Sequence, residues 1–139
     1  MQIVFDAADP ATLAQFWAEV LHYRREDAPP GFDTWPEFLA ARGVPESEWN
    51  SADAIVDPQG AQPRVFFQRV PEPKAAKNRV HVDLLTGGGS RVPVEEQRTK
   101  VATEVKRLVG LGATHVEDRE ALGVVWAVMR DPEGNEFCA

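Results

Sequence analysis

Two stretches of the chain have nearly the same sequence, AIVDPQG at residues 54–60 and AVMRDPEG at residues 127–134. In each stretch an apolar run ends in Asp-Pro-x-Gly, and a second strand-like segment follows. Proline at the second position and glycine at the fourth are typical of a type I turn, so each copy predicts two strands joined by a turn. A further strand pattern and an amphipathic helix pattern precede each copy. This matching order indicates an internal repeat rather than a turn sequence that occurs twice by chance.

The first half of the repeat opens with a strand pattern at residues 2–7, followed by Asp9-Pro10. Aspartate is a favoured N-cap and proline suits the first helical turn, so a helix is predicted to begin there. Its apolar residues recur at helical spacing and form one face: Leu13, Phe16, Trp17, Val20 and Leu21. Residues 29–50 interrupt this half, and we interpret them as an insertion with one short helix at about 34–42.

The second half shows the same order of elements. A strand pattern at residues 79–85 precedes a glycine-rich loop and a helix pattern at about 93–111. The remaining strands are predicted at residues 114–117, 124–129 and 135–139. The fold class is therefore α+β, with two βαβββ modules in a single domain. Module one covers about residues 1–72 and module two about residues 78–139.

Length, charge and cysteine content limit the kinds of molecule that the chain is expected to bind. The chain has 139 residues, which suits one compact domain, and its net charge of −7 repels nucleic-acid phosphates. Its one cysteine, Cys138, excludes an intramolecular disulfide. The chain shows no leader pattern and no apolar run of about 18 residues, so we expect a cytoplasmic protein with neither a nucleic-acid nor a membrane partner.

Several short segments are weak signals singly, but their order and spacing along the chain are together specific to one protein family. They are Asp9-Pro10 followed by Phe16-Trp17, Phe67–Lys74, Asn78–Leu84, Leu111–Ala113 and Asp131–Asn135. Over nearly the whole chain this order resembles the glyoxalase-like members of the vicinal oxygen chelate superfamily. The resemblance implies that the two modules form a curved mixed sheet around a concave cup, with the helices outside and a small organic molecule in the cup. It also implies a homodimer.

The resemblance further implies four positions for metal ligands, on the first and last strand of each module. These positions fall on Gln2, Phe67, His81 and Cys138. Phenylalanine cannot bind a metal, so at most three ligands survive and the site is incomplete. A glyoxalase mechanism also needs a carboxylate base beside the metal, and Glu136 lies two residues from the expected place.

Strand periodicity supplies a second set of candidates. Residues of alternating parity face opposite sides of a strand, so Val80, Val82 and Leu84 are expected to face a helix. His81 and Asp83 then share the opposite side and form a candidate acid–base pair. The aromatic residues expected to line a binding site for a flat ligand are Trp35, Trp49, Phe67 and Trp126.

These patterns leave three functions open. The leading hypothesis is a protein that binds a small organic molecule at a degraded metal site, and that sequesters a toxic metabolite or antibiotic as bleomycin-resistance relatives do. The first alternative is a metal-dependent lyase or isomerase of the glyoxalase type. The second is a metal-free enzyme that uses His81 and Asp83. The leading hypothesis requires no cofactor, whereas the first alternative requires a divalent metal.

Overall fold

The computed structural model describes residues 1–139, which divide into two compact units, Met1–Pro73 and Lys74–Ala139. Three α-helices accompany two sheets of four and three strands. The predicted α+β class is therefore confirmed. None of the helices has both the length and the apolar character needed to span a bilayer.

The first unit contains a four-stranded sheet in the order β1-β4-β3-β2. Strand β1 runs parallel to β4, and the other neighbours are antiparallel. Its elements are β1 (Gln2–Ala7), α1 (Pro10–Leu21), β2 (Arg24–Arg25), α2 (Trp35–Ala41), a 3₁₀ turn (Glu46–Glu48), β3 (Ala52–Val56) and β4 (Arg64–Arg69). Apart from the inserted helix and turn, this order is βαβββ, as the sequence predicts.

The second unit repeats this topology. Its elements are α3 (Val94–Gly110), β5 (Thr114–Ala121), β6 (Val124–Arg130) and β7 (Glu136–Cys138). The sheet order is β5-β6-β7, and Asp83 forms a parallel bridge with Cys138 at the free side of β7. The spatial order of Asp83, β7, β6 and β5 thus corresponds to the order β1-β4-β3-β2 of the first unit. The shared strand order supports the internal repeat.

The strand predicted at residues 79–85 is the main difference from expectation. Only its centre pairs with β7, because the Leu84 amide donates to the Cys138 carbonyl and the Cys138 amide donates to the Val82 carbonyl. Strand β7 has three residues, so it offers too short an edge to order a longer partner. Periodicity predicts that Val80 faces a helix, but Val80 is 84% exposed. Val82 and Leu84 are half-buried.

Strand β5 is longer than predicted and reaches Ala121 instead of residue 117. Its residues are exposed along its whole length, so they carry no alternation of buried and exposed positions. The charged run Glu117–Glu120 gives no strand pattern in the sequence. It belongs to a strand nevertheless, because β5 lies at the edge of the sheet and pairs with β6.

Helix α1 forms the core of the first unit as the sequence predicts. The Asp9 side chain accepts a hydrogen bond from the Thr12 amide at 3.2 Å and caps the helix. Trp17 and Leu13 are fully buried on the face that packs against the sheet. Burial of each such side chain contributes about 1.5–3 kcal/mol.

In the second unit, a buried glutamine joins the helix to the sheet. Gln97 of α3 donates to the carbonyls of Val92 and Gly123 at 2.7 and 2.8 Å, and its oxygen accepts from the Val125 amide at 2.9 Å. Both N–H donors of the Gln97 side chain and its oxygen are therefore hydrogen-bonded. This contact fixes the start of β6 against α3.

Candidate functional site

A pocket of about 290 Å³ lies in the first unit, where the insertion covers one face of the sheet. Its floor is made by small residues of β3, Ala52 and Ala54, and by Phe66 of β4, which is the register partner of Ala54. The walls come from the insertion and from β2. The remaining lining residues are Arg25, Glu26, Trp35, Leu39, Val44, Glu48, Trp49, Ser51, Asp53 and Arg64.

The insertion folds because its own sequence caps α2. Thr34 is the N-cap and accepts from the Glu37 amide at 3.3 Å, while the Glu37 carboxylate accepts from the Asp33 amide at 3.1 Å. None of the α2 residues is fully buried. The segment is held instead by Trp35, whose indole N–H donates to the Glu26 carbonyl at 2.8 Å.

Trp49 is fixed in a similar way at the other end of the insertion. Its indole N–H donates to the Val44 carbonyl at 3.0 Å. Next to it, Asn50 connects the insertion to α1, because its side chain donates to Asp9 at 2.7 Å and accepts from the Ala11 amide at 2.9 Å. The structure thus brings the two predicted tryptophans, Trp35 and Trp49, to one pocket.

The charged residues of the pocket occur as pairs. Arg64 makes a bidentate contact with Glu26, with Nε–Oε1 and Nη2–Oε2 distances of 2.7 and 2.6 Å. This hydrogen bonding raises the pKa of Arg64. Arg25 pairs with Asp53, and burial lowers the pKa of Arg25. Glu48 pairs with Arg69 at 2.5 Å.

Phe67 does not line a binding site, although the sequence predicts it at the second ligand position. Its side chain is fully buried and packs against Phe5, with ring centroids 5.5 Å apart. Phe66 faces the pocket instead. Strand pairing explains why Phe66 and not Phe67 is the counterpart of Cys138. Ile55 and Met129, two residues before Asp57 and Asp131, pair with Val65 and Phe137. The next residues, Phe66 and Cys138, therefore occupy equivalent positions in the two sheets.

Gln2, the predicted first metal ligand, has another partner. Its side-chain oxygen accepts from Arg64 Nη1 at 2.5 Å. A guanidinium at this distance repels a metal cation and occupies the only good ligand atom of the amide. Gln2 therefore does not fit a metal in this arrangement.

In the second unit the structure brings His81, Asp83 and Cys138 together. One ligand atom from each side chain lies within 4.8 Å of the other two. His81 Nε2 and Asp83 Oδ1 are 3.4 Å apart, which is longer than a hydrogen bond of about 2.7–3.2 Å. Burial and the neighbouring Asp83 carboxylate raise the pKa of Cys138 to about 11, so the free side chain is a thiol at neutral pH.

This donor set fits one kind of metal better than another. Nitrogen, carboxylate and sulfur ligands suit Zn²⁺, which uses three protein ligands and a fourth open position in catalytic sites. Mn²⁺ and Mg²⁺ prefer oxygen ligands and match the set less well. Asp83 replaces Gln2 as the third residue in reach of such a metal.

Trp126 lies beside the same three residues. It lines two neighbouring pockets of the second unit, of about 350 and 320 Å³, and His81 and Cys138 line both. The first of these pockets is bordered by the glycine loop Gly87–Gly89. Of the predicted aromatic residues, Trp35 and Trp49 thus line the pocket of the first unit, Trp126 lines pockets of the second unit, and Phe67 lines neither.

Glu136, the predicted base, has two hydrogen-bond donors within the second unit. Its carboxylate accepts from the Asn78 amide and from Lys74 Nζ, both at 3.0 Å. These contacts lower the pKa of Glu136 from 4.5 to about 2. A carboxylate with so low a pKa is a poor proton acceptor near neutral pH, and both contacts would have to be lost before Glu136 could act as the predicted base.

The polar residues of the first pocket form no motif in the sequence. Arg25, Asp53 and Arg64 lie on β2, β3 and β4, and Glu26 directly follows β2, so their pairing depends on sheet register. A usable signal was present in Ala52-x-Ala54, since small residues at alternate strand positions leave space above one face.

The comparisons agree with this architecture. The family model described as the glyoxalase-like domain matches residues 2–139. No curated protein matches the chain. A glyoxalase/bleomycin resistance protein/dioxygenase family enzyme from Burkholderia phytofirmans is similar in structure, with a TM-score of 0.60, 14% identity, and coverage of 99% of this chain and 93% of that one.

Two fosfomycin resistance proteins are also similar in fold. FosX from Mesorhizobium loti has a TM-score of 0.60 at 12% identity and covers 99% of this chain and 86% of its own. A FosX variant from Listeria monocytogenes, complexed with Mn(II) and a dihydroxypropylphosphonic acid, has a TM-score of 0.61 at 10% identity, with the same coverage of 99% and 86%. At these identities the likeness concerns the fold alone. The family match over nearly all residues is more specific, and by it the chain belongs to the glyoxalase-like domain family.

Proposed function

We propose that this protein binds a small organic molecule in the pocket of the first unit and thereby sequesters it. The observation that carries the proposal is the convergence of Trp35, Trp49 and Phe66 on one cavity of about 290 Å³. That volume is near the lower end of the range of about 300–1,000 Å³ for ligand pockets, so a molecule of one or two rings fits it.

The architecture of the pocket supports binding more than chemistry. Both indole N–H groups already donate to backbone carbonyls, at 2.8 Å for Trp35 and 3.0 Å for Trp49. The aromatic side chains are therefore fixed and offer carbon surface to a ligand, which favours stacking of a flat molecule. The pocket contains no histidine or cysteine.

Thermal unfolding in the presence of flat aromatic compounds and a chelator tests this proposal. A compound at about 100 times its Kd stabilises the folded state by about 2.7 kcal/mol, which raises the Tm by several degrees. The informative variant is Ala52→Phe, because Ala52 is exposed on the pocket floor and a larger side chain there fills the cavity.

Ala61→Phe is the matched control. Ala61 is also an exposed residue of the first unit, but it does not line the pocket. We expect the ligand to stabilise the wild type and the Ala61 variant equally, and to leave the Tm of the Ala52 variant unchanged. Equal stabilisation of both variants would show that the ligand binds elsewhere.

A second candidate function, zinc binding, is favoured by the cluster in the second unit. His81, Asp83 and Cys138 offer three ligand atoms within 4.8 Å of one another. A bound Zn²⁺ would supply a Lewis acid and an activated water, the requirement of the metal-dependent lyase or isomerase alternative. Metal binding deprotonates the thiol, so uptake by Cys138 releases a proton.

Zinc titration followed by calorimetry in two buffers of different ionisation enthalpy tests this candidate. We expect one equivalent of Zn²⁺ per chain, with proton release that is lost in Cys138→Ala. Binding that persists unchanged in Cys138→Ala and in Asp83→Asn would rule out this site. The variant Asp118→Asn is the control, because that carboxylate pairs with His115 instead, at 2.9 Å.

Two other predictions remain open. The metal-free alternative needs His81 and Asp83 to act together, and it predicts turnover that survives a chelator and is lost in His81→Ala. The predicted homodimer is checked by size-exclusion chromatography with light scattering, for which the chain mass is 15.4 kDa.

A further inference from the structure

We infer that the ligand of the Trp35–Trp49 pocket is an uncharged, flat molecule with one hydrogen-bonding group, and that Ser51 receives this group. The inference rests on the proposed binding function and adds the chemical class of the ligand. It is carried by the hydrogen-bonding state of the polar residues that line the pocket.

The charged side chains of the pocket already have partners of opposite charge. Arg64 is engaged by Glu26 through two hydrogen bonds, and Arg25 is engaged by Asp53. Glu48 is paired with Arg69. A charged ligand would therefore lose part of its hydration without gaining a free counter-charge, unless one of these pairs opens.

An uncharged ligand meets no such penalty. The indole N–H groups of both tryptophans are satisfied by backbone carbonyls, so the rings do not require a polar partner from the ligand. The apolar ring of a ligand can displace water from Leu39, Val44 and the aromatic walls. The pocket thus discriminates by ionisation state and not by charge complementarity.

Ser51 differs from the other polar lining residues. It lines the pocket at the start of β3, and its backbone is used, since its amide donates to Glu48 and its carbonyl accepts from Arg69. Its hydroxyl makes no hydrogen bond within the chain and can both donate and accept. A single hydroxyl, N–H or carbonyl group on the ligand is the complement to it.

A set of compounds with one ring system tests the charge requirement. Indole, indole-3-acetate and tryptamine share a ring and are neutral, anionic and cationic at pH 7. Their Kd values are measured by calorimetry with the intact chain at physiological salt, which screens the net charge of −7. We expect indole to bind at least tenfold more tightly than either charged analogue.

A comparison of indole with 1-methylindole tests the role of Ser51. Methylation removes the N–H donor, so Ser51→Ala should weaken binding of indole by about 2- to 12-fold and leave 1-methylindole unaffected. Ser47→Ala is the matched control, since Ser47 is an exposed residue of the same unit outside the pocket. It should change neither Kd.

The outcomes separate the two levels of the proposal. If indole-3-acetate or tryptamine binds as tightly as indole, the charge requirement is overturned while the binding function stands. If Ser51→Ala weakens indole and 1-methylindole equally, or neither, the assignment of Ser51 is overturned. If none of the four compounds binds, the proposed function itself fails at this pocket, and the inference fails with it.

Discussion

Replacement of Glu136 by glutamine tests whether this carboxylate is an anchor or a base. It contacts the Asn78 amide and Lys74 Nζ at 3.0 Å each, and its side chain is 16% exposed. The neutral amide can still accept a hydrogen bond from Asn78, but it loses the charge that pairs with Lys74. We expect Glu136→Gln to lower the free energy of unfolding at pH 7.

The size of the effect follows from the change in pKa. The contacts lower the pKa of Glu136 from 4.5 to about 2. Since one pKa unit corresponds to about 1.4 kcal/mol, the upper limit is ~3 kcal/mol. Solvent screening and the retained hydrogen bond reduce this limit, so we expect a loss of about 1–2 kcal/mol.

The pH dependence has a definite sign. A carboxylate whose folded-state pKa is lowered stabilises the protein above its unfolded-state pKa, and this stabilisation is lost as the pH falls through the folded-state value. The difference between wild type and Glu136→Gln, measured by urea unfolding, should be constant from pH 7 to about pH 5.5. It should fall by about half or more by pH 3.

Glu72→Gln provides the control, because it removes the same charge from an exposed residue. It should change the free energy of unfolding by less than about 0.5 kcal/mol at any pH. If Glu136→Gln proves as stable as the wild type at pH 7, or if its effect grows as the pH falls, the anchoring role is refuted. The predicted base role would then regain support.

Three further predictions concern other parts of the chain. Because the pKa of Cys138 is about 11, its reaction with a chromogenic thiol reagent, followed by absorbance, should be slow at pH 7 and should accelerate steadily up to about pH 11. Gly123→Ala should cost about 1 kcal/mol, because φ is 74° at this hairpin position, whereas Gly110→Ala at the open end of α3 should stabilise by about 0.4–1 kcal/mol in the same unfolding assay. Asp9→Ala removes the cap of α1 and should lower the free energy of unfolding by about 0.5–2 kcal/mol at pH 7. Because hydrogen bonds to Thr12 and Asn50 lower the pKa of Asp9, this difference from the wild type should decrease as the pH falls below about 3.8.

The elements that could be predicted from the sequence are those with a strong local signal. Helix α1 has both a cap at Asp9 and an apolar face around Trp17, and its observed bounds are Pro10–Leu21. The strands that flank Asp57-Pro58 and Asp131-Pro132 are also present. In these places the turn residues and the burial pattern favour the same structure, so tertiary packing does not change the local preference.

The differences arise where pairing with a distant partner decides the structure. Residues 79–85 have a strand pattern, but the three-residue β7 leaves most of them without a partner. The position of Phe67 follows from sheet register, and a shift by one residue reverses the face of a side chain. The pair of Arg25 with Asp53 likewise joins two strands, and the pair of Arg64 with Glu26 joins β4 to the residue after β2. Neither pair can be predicted from local sequence.

The side-chain N–H resonances of the four tryptophans test the central claim most directly. They can be assigned by single Trp→Phe variants and followed in ¹H–¹⁵N spectra as indole is added. A molecule that binds between the insertion and the sheet of the first unit should shift the signals of Trp35 and Trp49 and leave buried Trp17 unchanged. Shifts confined to Trp126, or no shift at saturating indole, would contradict the account.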